Sequence, residues 1–355
     1  MKSGWVTKKL GEVCEIIHGR NQSSVADENG KYPIYGSGGV MGWATDFRCP
    51  AGCTIVGRKG SINNPIFVSE KFWNVDTAYA LSPIDIEAKW LFYFCRSFDF
   101  AQLDCGTTIP SLTSALVKEI PIPIPPLSEQ KRIVKKIDAA FEKIDKLKAN
   151  AEKNLANAKE LFQSALDEAM RPKKGWVEKR LPDISENCDS KRIPITKSKR
   201  ESGKIPYYGA SGIVDYVKDF IFDGKYLLIS EDGANLESRT YPIAFSISGK
   251  TWVNNHAHIL RFFDENVQEY AELYLNAISL KNYITGAAQP KLTQDNLNKI
   301  PIYIPAQNVM VAEIVNKLKF LKSKLETLQH NYAQQIADCA EMRQAVLREA
   351  FEGRL

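Results

Sequence analysis

The chain has 355 residues, 44% of them hydrophobic and 25% charged, with a formal net charge of +5. That length and balance exclude a small disulfide-stapled fold and a disordered polyelectrolyte, and they leave room for two independent cores. The basic excess is too slight to demand a polyanionic partner: Lys and Arg against Asp and Glu number 12 and 12 over residues 1–127, 10 and 8 over 128–172, 18 and 16 over 173–305, and 7 and 6 over 306–355.

The start, MKSGWVTKKLGEV, lacks the apolar run of a signal peptide, and no later run approaches the length of a membrane span. A cytoplasmic protein with no membrane partner is expected. The seven cysteines are scattered and odd in number, which fits reduced thiols. Cys49, Cys53 and His18 lack the second ligand pair of a structural zinc site, so no metal is expected.

The first module, residues 1–127, opens with Gly4-Trp5-Val6. Short apolar runs closed by glycine turns follow, with a strand expected at Thr54 to Val56 and a helix near Lys89 to Phe98. It closes on Pro121-Ile122-Pro123-Ile124-Pro125. Proline fixes φ and removes a donor, so this stretch cannot be helix or central strand and is expected to be a stiff extended connector.

Over residues 128–172 the apolar period becomes 3.5. Ile137, Phe141, Ile144, Lys148, Ala151, Leu155, Ala158, Phe162, Ala165 and Ala169 form a coiled-coil seam with Lys148 as its one charged member. A helix from Ser128 to Met170 would run about 65 Å. It cannot stand alone with an apolar stripe exposed.

Residues 173–305 then repeat the first module. Gly175-Trp176-Val177 answers Gly4-Trp5-Val6 at an offset of 171, and Ile205 to Gly209 answers Tyr32 to Gly36 at 173. Leu227 to Gly233 answers Thr54 to Gly60, Trp252 answers Trp73 at 179, and Ile300 to Pro305 answers Ile120 to Pro125 at 180. Offsets that rise in chain order are those of a duplicated unit with small insertions. A strand is expected at Tyr226 to Ile229 and a helix near Val267 to Leu280. Residues 306–355 supply a second seam through Val311, Ile314, Leu318, Leu321, Leu325, Leu328, Tyr332, Ile336, Cys339, Val346 and Ala350, with Phe351 beyond it and a phase slip near Tyr332. The two helices are the natural partners of one another. The expected fold is α+β: two mixed α/β modules, each followed by a long helix, the helices packing as an antiparallel coiled coil that spaces the modules.

The run Pro125-Pro126-Leu127-Ser128-Glu129-Gln130-Lys131-Arg132-Ile133-Val134, its Ile-Pro lead-in, the segments Gly57 to Gly60 and Ser230 to Asn235, and the closing Arg343 to Leu355 resemble the specificity subunit of type I restriction-modification systems. The resemblance covers the whole chain in order. It implies two target recognition domains reading the halves of a split site in double-stranded DNA, and spacer helices that recruit two methyltransferase subunits. Nuclease/translocase restriction subunits are the further partners it admits. S-adenosylmethionine, ATP and Mg2+ would belong to those partner subunits, with no cofactor bound by this chain and no catalysis of its own. The second connector continues as Pro305-Ala306-Gln307-Asn308 and lacks the Leu-Ser-Glu-Gln of the first.

A module that reads bases needs polar side chains and close-approach loops at one edge. The candidates are Ser37, Gly38, Arg58, Lys59, Ser61 and Asn63 in the first module, and Ser211, Glu231, Asn235, Arg239, Asn254, Asn255 and His256 in the second. Lys191, Arg192, Lys197, Lys199 and Arg200 form a basic cluster suited to phosphates. At matched positions Arg58-Lys59 faces Glu231-Asp232, so the modules are expected to read different half-sites. The residues assigned to the partner-binding helices are Ile137, Phe141, Ile144, Leu155, Phe162, Leu318, Leu325, Leu328, Tyr332, Val346 and Phe351.

Three catalytic look-alikes fail on context. Ser248 to Thr251 has Ala244 where a phosphate-binding loop needs its first glycine, Asn64 to Phe67 has no upstream glycine-rich cofactor loop, and Asp76, Glu87 and Lys89 have no counterpart in the second copy. The alternatives to the leading reading are a structural coiled-coil adaptor, a specificity subunit serving an orphan methyltransferase without a nuclease, and a methyltransferase with both functions in one chain.

Overall fold

A computed structural model describes residues 4–286 and 289–355. The chain divides into two compact units, Met1–Lys153 with Tyr332–Leu355, and Asn154–Asn331. Each unit therefore combines one module with a stretch of each long helix.

In the first unit a four-stranded antiparallel sheet runs in the order Cys14–His18, Ala78–Pro83, Cys53–Gly57, Ile66–Val68. Cys53–Gly57 is buried along its whole length, as a central strand covered on both faces must be, which is why its sequence does not alternate. A second sheet joins Gly39–Ala44, Tyr32–Gly36 and Trp73–Asn74. The helix Ala88–Ser97 buries Trp90, Leu91, Tyr93, Phe94 and Cys95. Its core is shared with Ile133 and Ile137 of the central helix and with Leu347 and Ala350 of the C-terminal one.

The second unit repeats the plan. One antiparallel sheet runs Ser185–Asn187, Ala257–Phe262, Tyr226–Ser230, Ala244–Ile247, and the other runs Gly212–Val217, Ser202–Gly209, Lys250–Val253, Phe222–Asp223. The helix Glu265–Ala277 starts on Asp264, whose side chain accepts from the Val267 N–H. Here Leu166 and Met170 of the central helix share the core with Val311, Val315 and Leu318.

The proline stretches are more than connectors. Pro121–Ile124 pairs antiparallel with Val6–Lys9, with Val6 opposite Ile124 and Lys8 opposite Ile122. In a two-stranded ribbon only alternate residues must donate, and Ile122 and Ile124 supply the N–H groups while the prolines take the positions between. Ile302–Pro305 pairs with Trp176–Lys179 in the same way.

The long helices are Leu127–Met170 and Asn308–Phe351. In the first unit they run antiparallel: Arg132 Nη2 donates to the Leu355 carbonyl at 2.6 Å, thirteen residues on Asp145 pairs with Arg343, and the Arg343 guanidinium lies 4.5 Å from the centre of the Phe141 ring. Phe351 packs on Trp90 and Phe94 with ring centroids 4.5 and 5.6 Å apart. Ile137, Ile144 and Leu318 are buried, and Phe141, Leu155, Phe162, Leu325, Tyr332 and Val346 are half-buried. Two seam assignments fail. Lys148 turns to solvent beside Glu152, and Leu328 is exposed. Among the described residues no helix is long and apolar enough to cross a membrane.

Candidate nucleic-acid interface

Three loops meet at one edge of each module and are tied by the same backbone bonds in both. In the first, the Arg58 N–H donates to the Thr77 carbonyl at 2.8 Å, the Leu112 N–H to Arg58 at 2.8 Å and the Gly60 N–H to Pro110 at 2.9 Å. In the second, the Glu231 N–H donates to His256 at 2.9 Å, Leu292 to Glu231 at 2.8 Å and Gly233 to Pro290 at 3.0 Å. Gly60 and Gly233 hold matching left-handed conformations, φ +81° and +106°, where a side chain would strain the turn. The duplicated sequence has preserved a loop frame.

The side chains on that frame differ. Arg58 Nη1 donates to the Asp76 carbonyl at 3.1 Å. The matching carbonyl in the second module, Asn255, also receives a guanidinium, but from Arg192, whose Nη1 reaches Asn255 at 3.4 Å, Ala257 at 2.9 Å and the Glu231 carboxylate at 2.6 Å. Each module has placed an arginine under the same turn from a different point in the chain.

Around Arg192 lies a buried charged cluster. His258 is 1% exposed, its Nδ1 2.6 Å from Asp189 Oδ2 and its Nε2 2.7 Å from the Leu292 carbonyl. Asp189 also accepts from the Ile259 N–H at 2.7 Å, and Lys291 stands 3.3 Å from Glu231. Burial pushes the Asp189 and Glu231 carboxyls up, but the hydrogen bonds and charges of His258 and Arg192 outweigh it and hold both below the usual range. Asp189, Glu231 and His258 lie close enough to grip a metal ion. Arg192 and Lys291 already neutralise these carboxylates, so the donor set does not suit a cation.

Several expected readers serve the fold instead. Asn63 spends both ends of its amide, donating to Asp99 at 2.8 Å and accepting from the Phe100 N–H at 3.0 Å. Asn235 does likewise with the backbone of Tyr241. Arg239, at φ +51°, caps the helix Glu265–Ala277 by donating to the carbonyls of Leu275 and Ile278. Asn254 is buried and accepts from the His256 N–H at 2.8 Å, closing a turn. Glu231 is committed to Arg192. Within the basic cluster, Arg200 is likewise taken, by Asp215 at 3.0 Å and by the Tyr207 ring at 4.3 Å, whereas Lys197 and Lys199 are exposed.

What remains outward is smaller: Gly38, Lys59 and Ser61 with half-buried Ser37 and Arg58 in the first module, and Ser211, Asn255 and His256 in the second. Nothing lies within 4 Å of where a Gly38 side chain would begin, so the fold itself does not require glycine there. Sequence reasoning placed Asp232 at a divergent loop tip but not its pairing with His256, and it missed Asp189, His258 and Lys291. Extending the offset of 179 by one residue would have set His258 against Tyr79 and exposed the change in chemistry.

The thiols complete the inventory. Burial pushes Cys14 and Cys49 up to about 12 and Cys53 to about 11, and His18 packs edge-on against Tyr79 at 5.1 Å. Protonated, buried sulfurs of this kind are core residues.

The model of the type I restriction modification DNA specificity domain matches twice, at residues 2–156 and 173–336. The chain belongs to that family. A putative type I restriction enzyme specificity subunit of Haemophilus influenzae is 36% identical to this specificity chain over 149 residues, which is 41% of the chain and 38% of that protein. The EcoDI specificity subunit of Escherichia coli is 21% identical over 99% of the chain and 88% of its own length. Among solved structures, one described as showing complex assembly and conformational transition of the type I R-M system shares the fold with a TM-score of 0.79 at 19% identity, covering 100% of this specificity chain and 99% of that one. The HsdS subunit of Thermoanaerobacter tengcongensis gives 0.63 at 19% identity over 100% and 98%. The sequence resemblance and the fold class both hold.

Proposed function

We propose that this chain is the sequence-reading subunit of a type I restriction-modification complex, in which residues 1–127 and 173–305 each read one half of a split site in double-stranded DNA. The observation that carries this reading is the pair of loop frames: the backbone bonds are the same in both modules, while the outward side chains are Lys59 and Ser61, beside half-buried Arg58, in one and Ser211, Asn255 and His256 in the other. A shared frame with different tips suits two different base sequences met in the same geometry.

The chain performs no chemistry alone. Its helices, residues 128–172 and 306–355, space the modules and offer docking faces to two methyltransferase subunits, Leu161, Phe320 and Leu328 being large apolar side chains left exposed on them. S-adenosylmethionine, ATP and Mg2+ belong to partner subunits, and the complex works in the cytoplasm. Near-neutral modules neutralise few phosphates, so the isolated chain binds DNA weakly and depends on partners to enclose the duplex.

Adenine methylation mapped across a host genome with and without the gene tests this reading. A split motif should appear only when the chain is present, and exchanging residues 1–127 for another module should change one half of it. An unchanged motif, or saturable S-adenosylmethionine binding by the purified chain, would count against it.

A further inference from the structure

Within the second loop frame one outward side chain is held far more firmly than the rest. His256 has its N–H bonded to Asn254 Oδ1 at 2.8 Å and its carbonyl bonded by the Glu231 N–H at 2.9 Å. Its ring is held as well, with Nδ1 2.9 Å from both carboxylate oxygens of Asp232. The side chains of the pair are 49% and 17% exposed, so the imidazole stands at the surface on a carboxylate that is largely covered. Glu231, next to Asp232, is itself anchored by Arg192 and Lys291.

A base-reading group must be fixed before the base arrives, and backbone and ring are both fixed here. With Asp232 accepting from Nδ1, the neutral form of the ring is the tautomer that presents Nε2 as an acceptor. Among the described residues Nε2 has no hydrogen-bond partner. In the major groove an acceptor of this kind meets the exocyclic amino group of adenine or cytosine and rejects the carbonyl oxygens of guanine and thymine. In the first module the matched positions are Thr77 and Lys59, which cannot form such a couple.

We propose that His256 reads an amino-bearing base in the half-site of the second module, and that Asp232 is the positioning residue that sets its tautomer. This deepens the reading given above and rests on it. The Arg192–Glu231 pair underneath keeps the two loops in register.

The test uses the assembled complex and duplexes carrying the wild-type split motif, with each base of both half-sites varied in turn. His256→Ala should lose about tenfold of discrimination at one position of the second half-site, within the cost of a single mismatch, and nothing in the first. His256→Gln, whose amide can pair with adenine, should retain preference there. Asp232→Asn should relax discrimination at that same position while affinity for the rest of the site persists, which a purely structural role would not produce. Wild-type discrimination at every position in both His256→Ala and Asp232→Asn would overturn the assignment. Absence of any discrimination by the wild-type complex would instead overturn the parent reading.

Discussion

Tyr79 and His258 stand at the same place in the two modules and do the same task with different chemistry: the Tyr79 hydroxyl meets the Leu112 carbonyl at 3.2 Å, and His258 Nε2 meets the matched Leu292 carbonyl at 2.7 Å. The tyrosine brings no further polar atom. The histidine brings a second ring nitrogen, and Asp189, Arg192, Glu231 and Lys291 assemble around it.

That difference should be measurable as stability. Tyr79→Phe removes one neutral hydrogen bond and should cost about 1 kcal/mol. His258→Ala takes one partner from the buried Asp189 carboxylate, leaves the Leu292 carbonyl without its imidazole and opens a cavity, and should cost about 3 kcal/mol or more. Urea unfolding of the two variants, followed by a probe in each module, would give the comparison, and equal losses would contradict it.

Acid should act on the second module through the same cluster. A carboxylate whose folded-state pKa is depressed contributes stability that is present above its unfolded value and lost as pH falls through the folded one. Asp189 and Glu231 are both depressed, so their contribution should be complete at neutral pH and fade below about 4, the ordinary carboxylate value. Urea midpoints recorded from pH 7 downward should fall less steeply in Glu231→Gln, which begins less stable.

Thiol chemistry offers a direct check on the core. Six of the seven cysteines are buried and Cys105 is exposed. Under native conditions near pH 8, one thiol should react promptly with an aromatic disulfide reagent and the rest only after denaturation. Cys105→Ser should abolish the fast phase.

The C-terminal turn of the chain is part of the first module's core. Phe351 touches Trp90 and Phe94, so Phe351→Ala should destabilise that unit by about 3 kcal/mol. Thermal unfolding should show the transition of the first unit moving down while that of the second stays.

Much of the architecture was legible because it rests on spacing: the rising offsets, the 3.5-residue period and the helices Ala88–Ser97 and Glu265–Ala277 can all be counted along the chain. The proline ribbons were half-legible. Proline forbids a central strand, but only the partner Val6–Lys9 reveals a paired one. The interface was least legible, since Asn63, Asn235 and Arg239 have the chemistry of base readers and spend it on capping loops and a helix end. Residue type says what a side chain can bond. Its direction is decided by neighbours such as Asp99, Tyr241 and Ile278, which come from elsewhere in the chain.

The ribbon of Val6–Lys9 on Pro121–Ile124, and its counterpart of Trp176–Lys179 on Ile302–Pro305, bring the entry and exit of each module side by side. A module hung on two adjacent threads leaves its helix and returns to it at one point, so loops of different length can be inserted between the threads without lengthening that helix. The two modules of this chain already show the result: the repeat offset grows from 171 at the first strand to 180 at the last, all of the added residues lie inside the second module, and the ribbon that ties it to its helix keeps the same register.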